Sequence, residues 1–265
     1  MISIFVEYFV YVIFALHPYC LSIDFRVKLQ QQRIDMEENS ITYGAVNHYQ
    51  GKKGQEYFEW QNSAVFFKGK VNSHKFKHII KASDVVLDFG CGGGGLLYNL
   101  ECRRKLGVEI NPHARAFAIQ HGIECFESLS EVPDGTVDVA VSDHALEHVP
   151  YPIEALRGIR PKLAPNGILS VCVPIDNWRL ERRYDPNDKN HHLHTWTPQS
   201  FGNSLYEAGY SIISIYPRTL AWIPGWTVAL YGRLPYWAFR SICCIYGTAL
   251  GKGGEILCVA KSATA

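Results

Sequence analysis

Short apolar runs rich in Val, Ile and Leu recur from residue 85 onward, and stretches with apolar residues at helical spacing separate them. Runs of four to eight such residues bounded by Gly, Pro or Asp are typical of buried strands. Strands alternating with helices predict an α/β fold, in which a mainly parallel sheet carries helices on both faces. The predicted strands are 85–89, 105–110, 123–126, 137–142, 167–173, 210–216 and 255–261, and the predicted helices are 93–101, 112–121, 152–163 and 198–208.

The pattern divides the chain into three parts. Residues 1–35 form an apolar N-terminal extension, which is either a membrane-touching anchor or the product of a start upstream of Met36. Its apolar run, within 1–16, is short for a bilayer span and lacks the basic region of a signal peptide. Residues 36–83 form a segment with one or two helices, and residues 84–265 form the main domain.

One loop carries the strongest chemical signal. The apolar run at 85–89 contains Asp88 and is followed by Gly90, Cys91, Gly92 and three further glycines at 93–95. Glycines let the backbone adopt positive φ and approach a ligand, and a following helix offers unpaired N–H groups. The loop therefore predicts a site for a nucleotide-like cofactor, in which Cys91 serves close packing and not nucleophilic attack.

Two cofactor classes fit the glycine spacing. G-x-G-x-x-G through Gly90, Gly92 and Gly95 suits a dinucleotide, with Glu109 as the acid that binds ribose. Asp88, two residues before the first glycine, would crowd a pyrophosphate but attracts a cofactor with ammonium and sulfonium charges. This favours the second class.

Asp88-x-Gly90-x-Gly92-x-Gly94 resembles motif I of the class I S-adenosylmethionine-dependent methyltransferases. The resemblance continues through the strand at 106–109, the turn and strand at 131–142, the sequence Leu-Glu-His-Val at 146–149, and the helix, turn and strand at 156–169, so that it covers 84–216 and resumes at 255–261. It extends more loosely to small-molecule members associated with bacterial surface-polysaccharide assembly.

The resemblance implies a Rossmann-like sheet with strand order 3-2-1-4-5-7-6 and an antiparallel seventh strand. It implies S-adenosyl-L-methionine as cofactor, and either a lid or a cover for the sheet edge at 54–82. The acid that usually holds the adenine is not clearly present, and Ser128 falls at its position. The implied cofactor-binding residues are Asp88, Gly90, Cys91, Gly92, Gly94, Glu109, Ile110, Ser128, Leu129, Ser142 and Asp143.

A base for removing a proton from the acceptor is expected at the carboxyl ends of the central strands, where open α/β sheets bind ligands. Histidine suits this role because it titrates near neutrality. The candidates are His192 first, then His148 and Asp143, while His148 alternatively caps and packs below the site. No metal site is expected, because the histidines at 191, 192 and 194 lack nearby acids of fitting spacing.

Composition narrows the function classes. A chain of 265 residues with 47% hydrophobic content excludes disorder, and a net charge of +1 without a basic stripe argues against nucleic-acid binding. The basic cluster at 68–81 is interpreted as a solvated helix face. Eight cysteines without metal spacing are typical of buried thiols in a reducing compartment, here the cytoplasm.

The connection at 221–250 carries seven aromatic residues that need burial against the protein itself, in a homodimer or at a membrane surface. The last option, or contact through 1–16, would suit a lipid-linked acceptor. The predicted function is methyl transfer to a small molecule, namely a hydroxyl of a sugar or glycolipid. The alternatives are a non-catalytic interaction protein on the same fold and an NAD(P)-dependent oxidoreductase.

Overall fold

A computed structural model of the chain describes residues 48–62, 64–177, 179–180, 183–185 and 187–263. The predicted extension at 1–35, with its apolar run at 1–16, lies outside the described residues. The strands are β1 (Val85–Phe89), β2 (Arg104–Val108), β3 (Glu124–Phe126), β4 (Val137–Asp143), β5 (Leu163–Pro174), β6 (Tyr210–Thr219) and β7 (Gly254–Ser262).

The seven strands form one sheet in the order β3-β2-β1-β4-β5-β7-β6. Neighbours from β3 to β5 pair in parallel, and β7 runs antiparallel to both β5 and β6. This confirms the predicted fold class and strand order. The order reverses between β1 and β4, and in open α/β sheets ligands bind at this point, beyond the carboxyl ends of the strands.

Eight α-helices accompany the sheet within the described residues. They are α1 (Gly51–Asn62), α2 (Val65–Ser73), α3 (Gly95–Tyr98), α4 (Pro112–Gln120), α5 (Pro152–Ile159), α6 (Pro198–Glu207), α7 (Thr227–Arg233) and α8 (Tyr236–Leu250). Alternating residues of β1 enter different core clusters, Val86 one and Leu87 the other, as expected for a strand covered on both faces.

Two predicted helices are shorter than expected. The helix predicted at 93–101 is limited to α3, because Asn99 ends it. The backbone N–H of Asn99 donates a hydrogen bond to the carbonyl of Leu96, and its side-chain amide donates one of 2.8 Å to the carbonyl of Gly95. The helix predicted at 152–163 ends at Ile159 and tightens into a 3₁₀ turn at Arg160–Lys162. Pro161 has no N–H with which to continue an α-helix.

Helices α1 and α2 lie against the start of the main domain. A Cβ atom on Gly69 would come within 2.0 Å of the carbonyl oxygen of Gly95, so α2 and α3 touch backbone to backbone. Farther along, the Asn111 amide donates a 2.8 Å hydrogen bond to the carbonyl of Gly54 in α1. The N-terminal segment is therefore fixed to the glycine loop and to the end of β2.

The aromatic connection forms α7 and α8. Phe239 and Cys243 on the inner face of α8 are buried with Val71 of α2 and Leu220. This face is therefore buried against the protein itself, which is one of the three predicted modes of burial. The outer face is open, since the side chains of Trp226, Val228, Trp237 and Ile245 are 63–72% exposed. No helix within the described ranges is long and apolar enough to cross a bilayer.

The interpretation of 68–81 as a solvated face is wrong for Lys75. Its ammonium is buried, 2.7 Å from Asp143 Oδ1 and 2.8 Å from Glu255 Oε2. Burial opposes the charge, but Asp143, Cys172 and Glu255 raise the pKa of Lys75 well above its ordinary value. The lysine thereby joins the segment after α2 to the end of β4 and to the start of β7.

Replacing Lys75 by Met is expected to destabilise the fold by about 3–5 kcal/mol, because two buried carboxylates would lose their shared cation. Urea unfolding of purified protein measures the change. Lys77→Met, at an exposed position two residues on, is the control and should stay within about 0.5 kcal/mol of the parent. Equal stability of both variants would show that the buried cation contributes nothing.

Candidate active site

The glycine loop after β1 combines packing with open space. Gly90, Gly92 and Gly94 have φ values of 76°, 53° and 77°. A Cβ atom on Gly90 would lie 2.4 Å from Ala145 Cβ, and one on Gly94 would lie 2.1 Å from Ile123 Cδ1. A Cβ atom on Gly92 would meet nothing within 4 Å. Gly90 and Gly94 are therefore set by packing, while Gly92 borders free space that a ligand can fill.

Glu109, directly after β2, faces the same loop. Its two carboxylate oxygens accept hydrogen bonds of 2.8 Å from the backbone N–H groups of Gly92 and Asn111. Burial raises the pKa of Glu109, and these donors oppose the shift by stabilising the ionised form. Each oxygen keeps a further lone pair, so the carboxylate can still accept bonds from two hydroxyl groups of a ribose.

Asp88 lies near the end of β1 with 2% of its surface exposed, and its Oδ1 has no hydrogen-bond partner among the described residues. Burial, with the charges of Asp143 and Glu109 adding to it, raises the pKa of Asp88 well above its ordinary value. A buried carboxyl without a partner is costly and suits a ligand that brings positive charge. Together with Gly92 and Glu109, it fits S-adenosylmethionine, the cofactor implied by the sequence.

The other predicted cofactor residues differ in their surroundings. Ser142 is fully buried and donates to the carbonyl of Phe89 at 3.0 Å, tying β4 to β1. The Cys91 thiol packs 3.5 Å from that of Cys125. Beyond β3, the Ser128 hydroxyl is exposed 2.6 Å from that of Ser130, with Leu129 partly buried against the core. Ile110, beside Glu109, is 36% exposed.

The three predicted bases lie at the end of β4, where Asp143 is its last residue, and beyond β4 and β5, where His148 and His192 follow. His192 Nδ1 is 3.0 Å from Asp176 Oδ1, and its ring meets that of His148 edge to face, with centroids 5.1 Å apart. Burial opposes protonation of His192, but the bond to Asp176 raises its pKa above the ordinary value. Burial and the neighbouring His192 lower the pKa of His148 to about 4. Asp143 is already engaged with Lys75.

Two groups of described residues are spaced to hold a cation, although no metal was expected from the sequence. Glu147, His148 and His192 offer ligand atoms within 4.8 Å of one another, and Asp143, His144 and Cys172 do the same. His194 instead faces the carbonyl of Pro150. The sequence argument considered only the spacing among the three neighbouring histidines and could not foresee partners from the end of β4.

Residues ahead of α1 were not anticipated in the sequence. The His48 ring stacks on that of His191 with centroids 4.4 Å apart, and the Tyr49 ring meets that of His148 at 5.8 Å. They bring the N-terminal segment over the ends of β4 and β5. The sequence pointed to His48 and Tyr49 only through the aromatic content of the segment, and that content does not show which part of the protein the segment covers.

Comparison with known proteins agrees with this geometry. The ubiquinone biosynthesis O-methyltransferase of Nitrosococcus oceani is 32% identical over 105 residues, which are 34% of this chain and 43% of that relative. The same-named protein of Aeromonas salmonicida is 34% identical over 95 residues, 31% and 40% of the two chains. The match therefore spans less than half the length of these curated relatives.

Solved structures share the fold. A methyltransferase in complex with the Haloferax volcanii Trm112 methyltransferase activator has a TM-score of 0.55 at 18% identity, over 79% of this chain and 98% of that one. An S-adenosylmethionine-dependent methyltransferase from Archaeoglobus fulgidus has a TM-score of 0.53 at 20% identity, over 78% and 99%.

The family model described as a methyltransferase domain matches residues 68–215, more than half of the chain. The match includes the glycine loop, Glu109 and the Leu-Glu-His-Val sequence, and it favours methyl transfer over the dehydrogenase alternative. The chain therefore belongs to the methyltransferase domain family of S-adenosylmethionine-dependent enzymes.

Proposed function

We propose that the protein transfers a methyl group from S-adenosylmethionine to a hydroxyl oxygen of a small molecule, namely a sugar or glycolipid, in the cytoplasm. The observation that best supports a hydroxyl acceptor is the contact beyond β5 between His192 Nδ1 and Asp176 Oδ1, which lie 3.0 Å apart. O-methyltransferase relatives support oxygen as the acceptor atom. A sugar is proposed because the sequence resembles small-molecule methyltransferases that are associated with bacterial surface-polysaccharide assembly.

The chain's own residues contribute binding, orientation and one proton transfer. The cofactor supplies a methyl group that its positive sulfur already activates. Asp88 would hold the amino-acid part of the cofactor and Glu109 its ribose hydroxyls, at the ends of β1 and β2. Asp176 accepts from His192 Nδ1, so Nε2 is the free base that takes the acceptor's hydroxyl proton as oxygen bonds to the methyl carbon. The products are the methyl ether and S-adenosylhomocysteine.

Cofactor binding is tested first, without knowing the acceptor. Asp88→Asn and Glu109→Gln are each expected to raise the Kd for S-adenosylhomocysteine by at least about tenfold, since the first removes the acid that would face the ligand's ammonium group and the second the acid that would accept from its ribose hydroxyls. Isothermal titration calorimetry measures the affinity. Glu101→Gln, at an exposed position before β2, is the control and should bind like the parent. Unchanged affinity in both site variants would contradict the assigned cleft.

The base is tested once an acceptor is found with radiolabelled cofactor and fractionated cell extract that includes lipid-linked sugars. His192→Gln should lower kcat by about 10²–10⁴-fold with the affinity for cofactor unchanged. Because the base acts unprotonated, activity should rise with pH through the raised pKa of His192. Asp176→Asn removes the group that raises that pKa, so this rise should move to lower pH.

Normal turnover in His192→Gln would eliminate His192 as base and leave His148 and Asp143, the other sequence-predicted candidates. The low pKa of His148, about 4, makes its ring a weak acceptor for the proton of a hydroxyl group. Asp143 Oδ1 lies 2.7 Å from the buried ammonium of Lys75 and is occupied by that ion pair. Both observations support His192 as the first choice.

We further propose that the outer face of α7 and α8 touches a membrane, as a lipid-linked acceptor would require. Residues 220–254 include Arg233, Arg240 and Lys252 but no Asp or Glu. Exposed Trp226 and Trp237 lie among these cations, and tryptophan beside basic residues suits the surface of an anionic bilayer. The alternative is that this face packs against a second copy of the chain in a homodimer.

Sedimentation with vesicles of anionic and of neutral phospholipid tests this contact. The parent should co-sediment with anionic vesicles and less at high salt, and Trp226→Ser with Trp237→Ser should abolish binding. Tyr206→Ser, at an exposed position on α6, is the matched control. A parent that ignores vesicles but forms a dimer disrupted by the double substitution would instead support the homodimer.

A further inference from the structure

Buried polar atoms without hydrogen-bond partners gather around the cleft. Within the described residues they include His48 Nε2, Tyr49 OH, Asn62 Oδ1, Asp88 Oδ1 and both carboxylate oxygens of Glu147. Folded proteins pair nearly all such atoms, and an unpaired group at a functional site indicates a partner that the ligand supplies. Three of these residues belong to the segment at 48–62 and not to the sheet.

Tyr49 is the best fixed of the three. Its side chain is buried, and its ring meets those of His48, Tyr57 and His148 edge to face, with centroids 4.8, 5.0 and 5.8 Å away. Such contacts hold the ring in one orientation from three sides. The hydroxyl is consequently placed by packing, and no hydrogen bond within the described chain accounts for its position.

The groups near the Tyr49 hydroxyl indicate that it faces the cleft. Burial and the nearby Tyr57, Glu147 and Glu109 raise the pKa of Tyr49 above its ordinary value. Glu109 is the acid that holds the glycine loop, and Glu147 follows β4, so the phenol lies in the electrostatic range of both sides of the cleft. A phenol that keeps its proton can donate a hydrogen bond to an acceptor atom of a ligand.

The segment around Tyr49 is anchored at both ends of α1. The Asn111 amide donates to the carbonyl of Gly54 at 2.8 Å, and a Cβ atom on Gly54 would lie 2.3 Å from the carbonyl oxygen of Tyr49. At the other end, Asn62 Oδ1 would lie 3.1 Å from a Cβ atom on Gly93 in the glycine loop. The segment therefore spans the cleft from the glycine loop to His148.

We propose that Tyr49 is a cofactor-binding residue whose hydroxyl donates a hydrogen bond to bound S-adenosylmethionine, and that residues 48–62 form one wall of the cofactor site. The inference rests on the proposed function only in taking S-adenosylmethionine as the ligand. For residues 54–62 it favours the lid over the cover, the two roles considered from sequence for 54–82, since a cover for the sheet edge would need no buried, unpaired hydroxyl at Tyr49.

Tyr49→Phe is the test, because it keeps the ring and its three aromatic contacts and removes only the oxygen. The Kd values for S-adenosylmethionine and S-adenosylhomocysteine, measured by calorimetry, should rise by about 5- to 20-fold. Tyr206→Phe, with a side chain 76% exposed on α6, is the matched control and should stay within about twofold of the parent. A Tyr49→Phe protein that also stays within twofold overturns the assignment.

Hydrogen–deuterium exchange of the parent gives a second readout that needs no variant. Backbone amides of 48–62 should exchange more slowly when S-adenosylhomocysteine is bound, and unchanged exchange there overturns the proposed wall even if Tyr49→Phe fails to fold. A parent that binds neither ligand overturns the proposed function itself. Binding by the parent together with full affinity in Tyr49→Phe overturns only the role of Tyr49.

Discussion

The close approach of backbone to backbone along the glycine loop is the constraint on which the site depends. A Cβ atom on Gly95 would come within 2.2 Å of the carbonyl oxygen of Val65, and one on Gly90 would collide with Ala145. The loop can therefore lie between the N-terminal helices and the end of β4 only because Gly90 and Gly95 have no side chains. That position brings the N–H of Gly92 to Glu109, which joins the loop to the end of β2.

The proposed cofactor part and the proposed acceptor part of the cleft differ in the kind of polar group that forms them. Around the glycine loop, the polar contacts are largely backbone groups whose positions the sheet fixes. Toward β5 and β7 the floor is made of charged side chains, with Lys75 between Asp143 and Glu255 and with Arg218 Nε 2.9 Å from Glu255 Oε1. Burying these charges is costly, and they persist because each has an opposite charge in contact.

The sequence predicted the framework well for a physical reason. Strand periodicity, the loop at 90–95 and the acid at Glu109 are local patterns, which short stretches of sequence reveal. Asn166 has φ of 66° and lies within β5, where the pairing with β4 shifts between Leu163 and Ile168. Lys75 and Tyr49 could not be predicted in this way. Their roles arise from contacts with residues far along the chain, such as Glu255 at a separation of 180 residues, and nothing near them in sequence reports such contacts.

This difference explains why the cofactor can be named more readily than the acceptor. A cofactor held by backbone N–H groups and two acids demands a fixed loop geometry, which leaves a short motif in the sequence. The proposed acceptor side, with His192 and Asp176 beyond β5, depends on side chains whose identity can change without changing the backbone. The fold itself is shared with solved structures at 20% identity or less, so a common sheet does not specify which molecule binds beside it.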